Sequence, residues 1–415
     1  MAAAVLVVGA ACTGPAPRPV ASLPPDWRAV ALPAPGIGPA EVSDLVSCAG
    51  HWFAVGSTGA AGHSTGPDAT RGPAAWVSTD GRRFVPLPVG PRSVYGRVSR
   101  LYAAACVGPD LAALGAGVGG VHGNPRTAAW RLSGGVLREL PAPFELFGGP
   151  DALSVDRVAG GPAGWLVVGG RVLDTRGGAA AWRAAPGTAP SAVPGTAPSA
   201  ASSADPGAAP AGEFEPASVP GALVSAPGEQ TAAADAAALG GGWLIGGATS
   251  ILTGADAGAR RPLAWASTPG GWRREPLPST GTGTDAGIDR VAAAGSEILA
   301  AGTEGDHFVL WRRTASGHWT GPATVASYPG SSAVLPRVRS LSADGSDVAL
   351  AAGDGHRLRL WTSRDTGRTW RETPLPGPAT DSGEARYSVT LRGDAVLLTL
   401  GNGDVAQLWG ISLPA

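Results

Sequence analysis

Arginine carries the most evident chemistry in this sequence, and it recurs beside aspartate. "VYGRVSR" holds Arg97 and Arg100, "VDRVAGG" Asp156 and Arg157, "IDRVAAAG" Asp289 and Arg290, "RVRSLS" Arg337 and Arg339, and "ARYSVTL" Arg386, with Asp44 in "VSDLVS". A guanidinium presents a planar fork of donors that matches a carboxylate. Arranged around one opening, Arg97, Arg157, Arg290, Arg337 and Arg386 would form an anion-binding ring. The competing expectation is a set of Asp–Arg pairs that tie neighbouring repeats together, each partly solvated and worth little. Asp and Arg adjacent in sequence, as at Asp156–Arg157 and Asp289–Arg290, and repeating with the units, favour the pairs.

Other reactive groups are sparse. His51, His63, His122, His307, His318 and His356 stand alone, without HxH, HExxH or CxxC spacing, so no metal site is implied. "GAGVGG" lacks a strand-to-helix setting for phosphate, and no cofactor is expected. Formal net charge is -1, and every one of the 31 basic residues is arginine, spread along the chain, which argues against nucleic acid. In "SRDTGRTW", Ser363 to Trp370, Asp365 can accept turn N–H groups, Gly367 permits a positive φ and Trp370 supplies packing.

The elements that must position these groups repeat. Hydrophobic residues make up 44% and charged residues 15%, with 64 Gly and 39 Pro, which suits many short strands joined by turns. Trp76, Trp130, Trp182, Trp265, Trp311, Trp361 and Trp409 lie in "AAW" or "LW" strands at intervals of 54, 52, 83, 46, 50 and 48 residues. Upstream of each lies a short apolar run closed by glycine, such as "WFAVG", "WLVVG" or "ILAAG", and before that a further strand; after it comes a fourth, such as "WRREPLP". Four strands in roughly 40–50 residues is the period of a propeller blade. The fold expected is all-β: a seven-bladed β-propeller of four-stranded antiparallel blades.

"DWRAVALP" copies the fourth-strand pattern ahead of the first unit, while the last unit stops at its third strand with "QLWGISLPA". The N-terminal segment, residues 26–36, should therefore close the last blade and remove a free edge. Residues 26–415 are expected to form this one domain. The long Trp182–Trp265 interval contains an Ala/Pro/Ser/Gly-rich insertion, residues 186–213, which cannot bury a core and is expected to be disordered. Cys48 and Cys106 occupy equivalent positions in adjacent units, so they are either an inter-blade disulfide or two small buried thiols.

"SRDTGRTW" matches the Asp-box, or BNR, pattern S-x-D-x-G-x-T-W, and the chain resembles sialidase-like β-propellers of this type, with "STDGRRF" a shorter relative. The resemblance implies a structural box, Ser363, Asp365, Gly367 and Trp370, in a turn on the face opposite the ligand site, rather than catalysis by Asp365. It also implies an alternative, an exo-glycosidase in which Tyr387 is the nucleophile and Arg290, Arg339 and Arg386 hold a carboxylate. Against this stand the absence of an "RIP" segment and of a partner acid for the tyrosine, and the blade count.

Residues 1–25 are expected to be a signal peptide and flexible tether. The run Ala2–Ala11 is too short to span a bilayer and suits the apolar region of an export signal. "GAAC" resembles a bacterial lipobox with Cys12 as the lipidated residue, although Gly9 stands where such motifs usually carry Leu and no basic residue precedes the run. The expectation is an exported monomer, either on the extracytoplasmic face of the cell membrane as a lipoprotein or secreted. It would touch membrane only through the lipid and bind an unidentified protein or carbohydrate on one face without catalysis. Alternatives are the glycosidase and an assembly factor for an envelope complex.

Overall fold

The computed structural model describes residues 26–34, 39–59, 71–117, 125–173, 176–185, 213–217, 222–269, 271–281, 285–329, 334–382, 385–401 and 406–413. The expected signal segment with Cys12, and the expected insertion at 186–213 apart from Glu213, lie outside them. Seven antiparallel sheets follow one another as the blades of a closed propeller. Blade 1 runs outward from the channel as Ala40–Cys48, His51–Thr58, Gly72–Ser78 and Val85–Leu87. The innermost strands of blades 2 to 7 are Ser99–Val107, Ala152–Gly161, Glu229–Leu239, Ala286–Ala294, Arg337–Asp344 and Arg386–Arg392. Blade 2 gains an extra edge, because Val89–Gly90 of the incoming linker pairs parallel to Leu137–Arg138.

Ring closure follows the sequence expectation. Arg28, Ala29 and Val30 pair antiparallel with Gly410, Trp409 and Leu408, completing blade 7 with the first strand of the chain. The paired stretch is shorter than the segment expected, and it leaves Trp409 only partly covered. Its counterparts Trp76, Trp130, Trp265 and Trp311 are fully buried between sheets. Truncating a tryptophan packed in this way costs about 3–5 kcal/mol. Several also fasten the incoming linker: Trp76 Nε1 donates to Pro33 O, Trp265 Nε1 to Ala222 O and Trp311 Nε1 to Pro278 O, each at 2.8 Å.

The glycine that closes each apolar run has a structural reason. Six innermost strands carry a register shift at the same place, between Val42 and Asp44, Leu101 and Ala103, Val155 and Arg157, Ala233 and Asp235, Ile288 and Arg290, and Val338 and Ser340. Such a bulge bends the strand toward its neighbour. A Cβ on Gly56 would lie 1.8 Å from Glu41 O, and one on Gly302 1.9 Å from Gly287 O, so only glycine passes under the bend. Beside the bulges, Asp44, Arg157, Asp235 and Arg290 face the channel.

Candidate functional site: the channel waist and its rim

Asp44, Arg157, Asp235 and Arg290 line a channel cavity of about 310 Å³, whose other walls include small residues such as Ala104, Ala237 and Ala292. Arg157 crosses from blade 3 to blade 1 and donates from Nη1 to Asp44 Oδ2 at 3.0 Å. Burial works against the Arg157 charge, yet Asp44, Asp235, Tyr102 and Asp156 outweigh it and hold the cation. Arg290 is in the opposite position: burial, reinforced by the neighbouring Arg157 cation, pushes it down to about 10. Burial raises Asp235 from its ordinary value in spite of Arg290 and Arg157.

These groups also hold the blades together. Asp44 Oδ2 accepts from Ala104 N at 3.0 Å, Asp235 Oδ2 from Val291 N at 3.1 Å, and Asp289 Oδ2 from Val338 N at 2.9 Å. In each case an acid of one innermost strand satisfies an amide of the next. Tyr102 donates to Val155 O, Ser340 bonds Val389, and Ser388 donates to Asp44 Oδ1, continuing the circuit through blade 7 back to blade 1. Arg290 donates to Arg339 O and Asp289 O. The arrangement is a cross-channel plug of compensated charge.

A separate convergence occurs on the face where the innermost strands begin. Glu41 is 2% exposed, and three arginines surround its carboxylate: Arg71 at 3.1 Å, Arg100 at 3.6 Å and Arg386 at 3.8 Å, with Ser57 Oγ donating at 3.4 Å. The carboxylate they hold is the protein's own. Sequence reading proposed neither Glu41 nor Arg71; Glu41 stands three residues ahead of Asp44, and no spacing links it to Arg71.

Residues proposed as a ring do not share one site. Arg157 and Arg290 meet at the waist, whereas Arg386 turns to Glu41. Arg97 ends the helical turn Val94–Arg97 and is exposed, as is Arg337. The glycosidase set is dispersed too. Arg339 donates to the buried Asp381 at 2.8 Å. Tyr387 is 5% exposed in the apolar core between blades 6 and 7, and its hydroxyl is buried without a hydrogen-bond partner. Burial, with Glu372 adding to it, raises the phenol well above its usual value. A phenol so placed is a poor nucleophile.

The Ser363–Trp370 turn forms between the third and fourth strands of blade 6, on the opposite face from Glu41. Ser363 Oγ donates to Asp365 Oδ1 at 2.7 Å, which also accepts from Arg368 N and Thr369 N, while Gly367 N donates to Ser363 Oγ. Burial acts to raise Asp365, but the Thr369 amide and hydroxyl, with Ser363 and Arg368, hold it well below the usual carboxylate range. Gly367 sits at φ 72°. The Ser78–Phe84 turn repeats the scheme, with Asp80 Oδ1 accepting from Ser78 Oγ, Arg82 N and Arg83 N. On the same face a disulfide joins Cys48 of blade 1 to Cys106 of blade 2, with Cα atoms 5.9 Å apart.

No protein-family model matches the chain, and no curated protein matches it in sequence. Among solved structures it is similar to a Trypanosoma rangeli sialidase in complex with sialic acid, at 12% identity and TM-score 0.42, covering 95% of this chain and 60% of that one. It is likewise similar to YCF48 from Cyanidioschyzon merolae, at 14% identity and TM-score 0.45, covering 93% and 98%. A xyloglucanase from Xanthomonas campestris gives 16% identity and TM-score 0.46, covering 93% and 53%. The chain thus spans about three-fifths of the sialidase and half of the xyloglucanase. At these values no activity is carried across.

Proposed function

We propose that the protein is an exported, lipid-anchored propeller that binds a protein or carbohydrate ligand across one face and catalyses no reaction. The supporting observation is the state of the groups that catalysis would need. Tyr387 is sealed in the core with a raised pKa. Arg339 and Arg386 face internal carboxylates, and Arg290 bonds backbone carbonyls. An arginine committed to the protein's own acid stiffens the scaffold and leaves no fork to hold a substrate carboxylate.

The turnover test is direct. Incubation with a fluorogenic sialoside should release no fluorophore above the no-protein rate; turnover abolished by Tyr387→Phe would replace this reading with the glycosidase. The anchor is tested separately, since Cys12→Ala should release the protein from the membrane fraction into the medium, and unchanged partitioning would remove the lipid from the proposal. A role in assembling an envelope complex is the form this binding would take if one complex were enriched on pull-down from detergent-solubilised envelope.

A further inference from the structure

We propose that the rim between blades 2 and 3 is a docking groove for an extended acidic and hydrophobic peptide of a partner protein, anchored by Arg126 and Phe144. The inference rests on the binding-module reading and gives it a place and a ligand class. Two adjoining cavities of about 530 and 640 Å³ flank the pair and share Arg126, Thr127, Phe144 and Phe147 as walls. Tyr95 is 36% exposed, Phe144 49% and Leu153 53%, so three of the seven exposed large apolar residues among those described line these two cavities. Clustering of that kind marks an interaction surface, whereas single exposed apolar residues need no explanation.

The charge at its centre has no acidic partner among the described residues. The Arg126 guanidinium lies 3.9 Å above the Phe144 ring and 5.6 Å from that of Tyr95. Its Nε is buried without a hydrogen-bond partner, and among the described residues no carboxylate lies within ion-pair distance. Aromatic faces on a guanidinium lower its hydration and leave its edge for an anion. Two acids line the cavities and are held by the protein's own donors: Glu139 accepts from Arg92 N, Ser93 N and Ser93 Oγ, and Asp156 accepts from Ser154 Oγ.

The groove is held in shape. Phe147 packs edge-on against Trp182 at 5.4 Å between centroids, in the core of blades 2 and 3, and so fixes the turn that displays Phe144. A glycan would need a polar partner for each hydroxyl it buries. Ser93 is committed to Glu139, Ser154 donates to Asp156 and Tyr102 donates to Val155 O, while much of the remaining wall is proline, alanine and phenylalanine. An extended peptide with a carboxylate close to a large apolar side chain meets both anchors.

The test uses the whole protein as bait for a library of random dodecapeptides. Enriched sequences should carry Asp or Glu within two residues of Leu, Ile or Phe. Synthetic copies should bind at least about tenfold more weakly to Arg126→Gln and to Phe144→Ala, and equally well to Arg97→Gln, which lies outside the groove. Enriched peptides without an acid, binding indifferent to both substitutions, or no enrichment would each overturn the proposal. Binding only to an acidic oligosaccharide array would overturn it while leaving the binding module standing; sialoside turnover would instead overturn the module.

Discussion

At the scale of residues, buried acids in this protein act as fasteners. Glu275, 6% exposed, receives Arg313 Nε at 2.7 Å and Nη2 at 2.9 Å, and Trp319 Nε1 at 2.9 Å, joining blade 4 to blade 5. Burial acts to raise its pKa, but the Arg313 and Trp319 hydrogen bonds outweigh it and the net shift is downward. Glu275→Gln should cost about 3 kcal/mol, because it leaves the Arg313 guanidinium buried without its counter-charge; urea unfolding would measure it. The sign of the pH effect follows. A carboxyl depressed in the fold contributes stability that is present above its unfolded value, 4.5 for Glu275, and is lost as pH falls through the folded value. Asp365 behaves the same way from 3.8 downward. Stability of the native protein should therefore fall as acid is added below about pH 4.5, and Glu275→Gln should flatten that slope.

At the scale of elements, the sequence shows where strands lie and conceals how their charged residues are paired. Periodic tryptophans and apolar runs ending in glycine encode burial on both faces of a sheet, which is local and recurs in each blade. The bulge beneath those glycines was legible only as the repeated glycine itself. Its result, that Asp44 meets Arg157 two blades away, depends on curvature around the ring. The same applies to Arg71, Arg100 and Arg386 around Glu41, which the starts of three strands in blades 1, 2 and 7 bring together. Gly56→Ala tests the bulge: a methyl group driven into Glu41 O should cost about 3 kcal/mol by overpacking, seen as a lower urea midpoint. Cys48 and Cys106, 58 residues apart, link neighbouring innermost strands. The Cys48→Ser, Cys106→Ser double variant should lose about 2–4 kcal/mol, with reductant reproducing the loss in the native chain and leaving the variant unchanged.

At the scale of the whole molecule, a ring of sheets is as strong as its closure. Every junction but one joins blades that are consecutive in sequence; the junction of blade 7 with blade 1 depends on the two distant parts of the chain meeting. Arg28–Val30 supplies the ladder to Leu408–Gly410, Trp27 Nε1 donates to Pro374 O at 2.8 Å, and Pro33 O receives the Trp76 indole. Ser388 and Arg392 add contacts to Asp44 and Thr79 O across the same seam. Deleting residues 26–34 removes the first group and leaves the second. At ~1 kcal/mol per hydrogen bond the loss is on the order of 4 kcal/mol, and Ala406–Ser412 becomes an unpaired edge open to a second copy. The truncated protein should melt at lower temperature and elute from a sizing column partly as higher species, with both effects reversed by a synthetic peptide of residues 26–34 added in excess. A truncated chain that melts and elutes like the full one would show that the innermost contacts of blades 7 and 1 suffice to hold the ring, and that the first strand is a covering rather than a clasp.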